Sequence, residues 1–233
     1  MGTIISHSIE QIANNILAAA AKAGRNAKEI KLMAVTKTVN DDRIRKALEA
    51  GIIILGENYV QEAARKKPHL AETNKHLEWH MIGHLQTRKA ALAVELFDMI
   101  HSLDRVELAQ AINTRSQSRN KIMPVLIEVN TGGETTKGGV SPSSALELAK
   151  IVSQMENLSL RGLMTIPPWS DNPEKSRPYF KCLRELKETI QSAELPNVQM
   201  QELSMGMTDD YLVAIEEGAT IVRIGRGIFG ERL

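Results

Sequence analysis

Short apolar runs alternate with amphipathic stretches along most of this chain. IKLMAV (30–35), IIIL (52–55), LEWHMI (77–82), FDMIHS (97–102), MPVLIEV (123–129), LSLRGLM (158–164), NVQMQEL (197–203) and ATIVRI (219–224) read as eight strands. Strands buried on both faces are written as continuous apolar runs, and IIIL and MPVLIEV have that form. Helix patterns lie between them. Asn40 is placed to cap a helix through Ala47 and Leu48 that stops at Gly51, and a second helix from about Asn58 is ended by Pro68. Pro142 takes the first position of a helix with Ala145, Leu148, Ala149 and Val152 on one face. Another carries Phe180, Leu183, Leu186 and Ile190, and Thr208 caps a last one. Ahead of the first strand, Ile9, Ile12, Ala13, Ile16, Leu17 and Ala20 make one face of a further helix, with Ser8 and Gln11 spaced as a capping box.

Strand and helix recur at roughly 25 to 30 residues, as a βα array does. Eight such units in 233 residues fit a closed (β/α)8 barrel, the TIM barrel, better than an open doubly wound sheet. No Pro/Gly/Ser-rich linker divides the chain, so residues 1–233 are expected to form one α/β domain with an extra N-terminal helix.

Composition narrows the partners. Lys plus Arg is 29 against 28 for Asp plus Glu, a net +1, which gives no reason to expect nucleic acid. The lone Cys182 fits a reducing, cytoplasmic setting. No apolar run approaches the roughly 20 residues of a membrane helix. Met1-Gly2 with Ser6 fits the short myristoylation pattern, but the segment reads as an ordinary helix. A barrel of this size can be stable alone, so a monomer is expected, with a dimer as the alternative.

Chemistry in such a barrel sits where strands end. Several patterns there carry little. GRGIFG (225–230) is a formal GxGxxG after a strand, without the second strand and acidic residue a dinucleotide site needs. In GGETTKGG (132–139) Lys137 precedes the last glycines rather than following them, which suits a flexible loop over the mouth better than a P-loop. His80 and His84 have zinc-helix spacing but no Glu after His80, and read as a satisfied pair near the site. Lys66, Lys67 and the basic residues of 115–121 read as solvated faces.

Two features remain. LSMGMTDD puts Ser204 and Gly206 before a helix, and VRIGRG puts Gly225 and Arg226 after the last strand. Barrel phosphate sites form from the loops after strands seven and eight, where free N–H groups favour an anion. The second feature is Lys37, at the end of LMAVTK. A lysine partly desolvated beside a phosphate site can be neutral and attack an aldehyde. Phosphate site plus lysine is what pyridoxal 5′-phosphate (PLP) needs.

AVTKT (34–38), LGENYVQEA (55–63), EWHMIGHLQ (78–86), VNTGGETTKGGVSP (129–142), RGLMTIPP (161–168) and LSMGMTDDYLVAIEEGATIVRIGRGIFGER (203–232) closely resemble the pyridoxal phosphate homeostasis proteins, single-domain relatives of the alanine racemase N-terminal barrel. The resemblance implies a Schiff base between PLP and Lys37. It implies a phosphate held by Ser204 with backbone N–H groups near Met205, Gly225 and Arg226. Asn58 would lie against the cofactor and Arg223 would face the pyridine nitrogen. Departures are Thr36 in AVTKT, Tyr59 and the GRG turn, none of them a proposed ligand side chain.

An always protonated Arg leaves the pyridine nitrogen unprotonated and PLP a weaker electron sink. In the related racemases a second acid/base group comes from a C-terminal β-domain, which this sequence does not show. The expectation is a PLP carrier that buffers or delivers the cofactor, with apo-PLP enzymes as possible acceptors and little or no turnover. A weak amino-acid racemase is the alternative. A third reading is a PLP-sensing module that docks through 131–139.

Overall fold

The computed structural model describes residues 4–70 and 76–231. In chain order it runs α1 (Ile4–Lys22), β1 (Lys31–Val35), α2 (Asp41–Glu49), β2 (Ile54–Glu57), α3 (Val60–Leu70), β3 (Glu78–Met81), α4 (Ala90–Leu96), β4 (Met99–Leu103) and α5 (Val106–Gln117). The second half is β5 (Met123–Glu128), α6 (Pro142–Ser153), β6 (Leu158–Met164), α7 (Arg177–Ser192), β7 (Val198–Ser204), α8 (Tyr211–Glu216), β8 (Ile221–Ile224) and α9 (Arg226–Phe229). The eight strands close in sequence order, β8 pairing parallel with β1 from Lys31↔Ile221 to Ala34↔Ile224. The expected (β/α)8 barrel is present.

The strands form because their outward side chains are large and apolar and meet the helices. Leu55, Trp79, Ile100, Val125, Leu163, Leu203 and Val222 join Phe97, Phe180 and Leu183 in one continuous buried shell. Inside the barrel a separate apolar cluster is small: Met33, Ile54, Ile82 and Ile221, with Val35 against them. Buried polar groups share that interior, among them His80, His101, Ser204 and Arg223. α1 buries Ile5, Ile9, Ile12 and Ile16 and packs against α2, α8 and α9.

Some local expectations differ. β2 lies two residues beyond the IIIL run. Ile52 N–H donates to Ala47 O at the end of α2, and the strand continues through Glu57, whose buried carboxylate has a lysine partner. α3 does not stop at Pro68 but runs on to Leu70, the proline standing inside the helix at the loss of one hydrogen bond. α1 already runs at Ile4, so Ser8 lies inside the helix and caps nothing, and Met1 and Gly2 of the myristoylation pattern lie outside the described residues. Thr208 does not cap α8 either: Asp210 stands at that position, its Oδ1 accepting from Met207 N–H at 2.7 Å. Asn40 does cap α2, accepting from Arg43 N–H at 3.0 Å, and Pro142 does open α6.

No helix among the described residues is long and apolar enough to cross a membrane.

Candidate functional site: the mouth of the barrel

Lys37 lies in a turn just past β1, half-buried, and both its neighbours are pinned. Lys66, fully buried, donates through Nζ to Thr36 O at 2.6 Å and to Glu57 Oε1 at 2.7 Å. It also pairs with Glu62 at 2.8 Å. Thr36 Oγ1 donates to the same Glu57 oxygen at 2.6 Å, and Thr38 N–H donates to Glu62 Oε1 at 2.7 Å. Thr38 is thereby held at φ 64°, a left-handed conformation that costs a β-branched residue about 1–2 kcal/mol. Burial pushes the Glu57 carboxyl up, against the opposing pull of Lys66 and Thr36. Lys66 is therefore no part of a solvated face. Helical spacing put it beside exposed residues, while its partners arrive from other elements. Lys67 and Lys121 likewise reach backbone carbonyls at the end of α4, Leu96 for the first and Val94 and Phe97 for the second.

The loops after β7 and β8 meet on the other side of the mouth. Gly206 sits at φ 91°, where a Cβ would stand 2.6 Å from Ala214 Cβ, so only glycine lets this turn close over α8. Thr208 Oγ1 accepts from Gly227 N–H at 3.2 Å and ties the two loops together. A cavity of about 630 Å³ opens between these loops and the lysine turn, lined by Lys37, Asn40, Thr208, Arg223, Gly225 and Arg226. That volume is within the range of small-ligand sites.

Of the predicted residues, Ser204, Met205 and Asn58 are not among those that line the cavity, whereas Arg223 reaches it from inside the barrel. Arg223 is buried and fixed at both ends of its guanidinium: Nη1 donates to Ser204 Oγ at 2.7 Å and Nη2 to Thr165 O at 2.8 Å. Burial lowers it to about 10, with Asp210 and Glu128 pulling the other way. Ser204 and Met205 are fully buried and do not line the cavity; the Ser204 hydroxyl reaches it only through Arg223. Asn58 follows β2 and does not line it either. The chain passes so close there that a Cβ on Gly83 would lie 2.3 Å from Asn58 O. Asn58 Oδ1 is buried with no hydrogen-bond partner among the described residues.

Sequence reasoning missed Thr208, Glu128 and His101. Glu128 ends β5 beside Asp104, and burial, reinforced by Asp104 and opposed by Arg223, pushes it up to about 7. The 131–139 loop crosses above: a Cβ on Gly138 would lie 3.6 Å from both Glu128 oxygens. The loop is tied down where Thr131 Oγ1 meets Thr165 Oγ1 at 2.9 Å and Lys137 Nζ donates to Pro167 O at 3.2 Å. The available signal was a polar residue inside an apolar run, as in MPVLIEV and FDMIHS. The histidine pairing was misjudged. His80 points into the barrel and meets His101 at 3.0 Å, while His84 is 60% exposed and 3.6 Å from Asp104. Among the described residues no three His, Cys, Asp or Glu side chains stand together to hold a metal.

Residues 8–233 match the alanine racemase N-terminal domain family. A pyridoxal phosphate homeostasis protein of Aquifex aeolicus is 46% identical over 96% of this chain and 96% of its own. Among solved structures, an unknown protein from Bifidobacterium adolescentis superposes with a TM-score of 0.93 at 35% identity, covering 97% of this chain and 94% of its own. PipY of Synechococcus elongatus, solved with PLP bound, superposes with a TM-score of 0.81 at 32% identity, covering 94% of this chain and all of its own. The chain belongs to the pyridoxal phosphate homeostasis proteins, a family built on the alanine racemase N-terminal domain.

Proposed function

We propose that the mouth holds PLP on Lys37 as a Schiff base, and that the protein buffers or delivers the cofactor instead of running a reaction with it. The observation that carries this reading is one cavity shared by Lys37, Arg223 and the Gly225–Arg226 turn, in a relative of a protein solved with PLP bound. PLP supplies an aldehyde for a lysine amine, a phosphate, and a ring that serves as an electron sink.

The residues divide the work by chemistry. Lys37 reaches the aldehyde, its turn immobilised from both sides by the Lys66 network. The phosphate falls to the backbone N–H groups of Gly225 and Arg226 and to Thr208, which line the cavity. Ser204 and Met205, the expected phosphate contacts, act instead from behind through Arg223 and the turn at Gly206. Arg223 offers only donors to a ring nitrogen, which favours holding the cofactor over activating a carbanion. Apo-PLP enzymes are the natural recipients of a delivered cofactor.

PLP titrated into the protein should produce a Schiff-base absorbance band that Lys37→Ala abolishes. An unchanged band in that variant would sink the assignment. One observation favours weak racemase-like turnover: Glu128, near neutrality beside Arg223, suits an acid/base group. Deuterium exchange at Cα of added amino acids, present in the parent and lost in Glu128→Gln, would replace the carrier reading with that one.

A further inference from the structure

A continuous file of hydrogen-bonding side chains runs down the barrel axis behind Arg223. Arg223 Nη1 meets Ser204 Oγ at 2.7 Å, and Ser204 Oγ meets His101 Nδ1 at 3.0 Å. His101 Nε2 meets His80 Nδ1 at 3.0 Å, and His80 Nε2 meets Glu78 Oε2 at 3.1 Å. Arg223, Ser204, His101 and His80 are all buried. Arg223 lines the mouth. His80 and Glu78 line a second cavity of about 610 Å³ at the opposite end of the barrel, where the Glu78 side chain is 53% exposed.

The two ends set the direction of every bond between them. An ionised carboxylate only accepts and a guanidinium only donates. His80 Nε2–H therefore donates to Glu78, and a neutral His80 must accept at Nδ1. His101 then donates from Nε2 and accepts at Nδ1, so the Ser204 hydroxyl donates to His101 while its oxygen accepts from Arg223. All donors point from the mouth toward the far end, and the single Ser204 proton is committed away from the mouth.

We propose that His80 and His101 are positioning residues of the mouth, forming a relay of fixed polarity that one proton, stored at the His80–Glu78 end, reverses. The proton balance is simple. With one proton added, His80 carries a proton on each ring nitrogen, His101 carries its one proton on Nδ1 in place of Nε2, and Ser204 keeps a single hydrogen; no heavy atom need move. Ser204 Oγ then accepts from both His101 and Arg223, and its own hydrogen is released from the relay.

The charge rests on His80 because of what faces each ring. His101 is held well below an ordinary imidazole by burial and by His80, Arg223 and Lys31. His80 has the Glu78 carboxylate, which hydrogen bonding to His80 draws down. Around the far cavity stand Lys31, His76, Asp98, Arg161 and Glu202, of which Lys31 and Glu202 neutralise each other at 2.5 Å. The effect on a bound cofactor rests on the PLP reading, because Arg223 is the relay's contact with the mouth.

The test is ¹⁵N side-chain NMR of histidines in the full ligand-free chain, titrated from about pH 9 to about pH 5. At the alkaline end both rings should be Nε2–H tautomers. On acidification His80 should become imidazolium while His101 stays neutral and converts to the Nδ1–H tautomer, with one shared midpoint. Glu78→Gln should lower both midpoints together by about one pH unit, and Glu78→Asp should restore them in part. His101 found as the Nδ1–H tautomer at high pH, or unchanged while His80 titrates, would overturn the relay. The measurement needs no PLP, so failure of the PLP reading shows separately, as loss of the Schiff-base band.

Discussion

The shell outside the barrel and the file inside it are both buried, yet they are built on opposite principles. In the shell, Leu55, Trp79, Phe97, Phe180 and their neighbours make one apolar body, and any one of them contributes through area and packing. In the barrel interior a smaller apolar set, Met33, Ile54, Ile82 and Ile221, packs apart from that shell, with Leu126 and Met164 also buried outside it. The rest of the space holds the Arg223–Ser204–His101–His80 file, with the Lys66–Glu57 pair nearby in the wall. A (β/α)8 interior is commonly filled by branched apolar side chains. Here much of that filling is exchanged for groups that must be satisfied in pairs. The shell therefore tolerates changes according to volume, and the interior according to what a change leaves unpartnered.

The sharpest contrast comes from two truncations of similar size. Phe180→Ala in the shell should cost about 3–5 kcal/mol by chemical denaturation. Lys66→Ala should cost a comparable 3–5 kcal/mol, because it strands the buried Glu57 carboxylate. Only the second loss should be repairable by a neighbour: Lys66→Met with Glu57→Gln should recover most of the stability. Failure of that double variant to recover would mean that the contacts of Lys66 to Thr36 O and Glu62 matter more than the stranded Glu57 carboxylate.

A smaller effect separates the regions by pH. Glu128 is raised from an ordinary 4.5 to about 7, so its folded-state protonation contributes stability that is full below about 4.5 and is lost as pH rises through about 7. Glu128→Gln should be unable to lose it. Measured between acid and mildly alkaline conditions, the stability difference between parent and variant should swing toward the variant by up to about 3 kcal/mol. A swing of opposite sign would contradict the burial of this carboxyl. Shell substitutions should show no such dependence.

Smallest is the change at Thr38, whose φ of 64° suits glycine better. Thr38→Gly should alter stability by only about 0.5–1 kcal/mol, in the stabilising direction, because relief of strain exceeds the added freedom of the unfolded chain. It should loosen the Lys37 turn at the same time, read as weaker PLP uptake. A destabilised variant would show that the Glu62 contact to Thr38 N–H depends on the threonine side chain.

The shell was legible in the sequence because its residues repeat: the apolar runs gave all eight strands, and β6 (Leu158–Met164) matched residue for residue. The interior was not, because its members appear singly. His101 is one polar letter in FDMIHS, Glu128 one in MPVLIEV, and Lys66 one of two adjacent lysines; their partners lie far away along the chain. Lys37, Arg223, Gly225 and Arg226 were legible as residues at strand ends, and the structure brings them to one cavity. Ser204 was legible by position, but its hydrogen-bond partners in the barrel were not. Being the last residue of β7 placed it near the mouth, but the pleat turns its hydroxyl inward to His101.

The central claim is that the mouth holds PLP on Lys37. Borohydride reduction of the PLP-loaded protein, followed by peptide mass mapping, tests it most directly. A pyridoxyl adduct confined to Lys37 is the predicted result. An adduct on another lysine, or none, would contradict it.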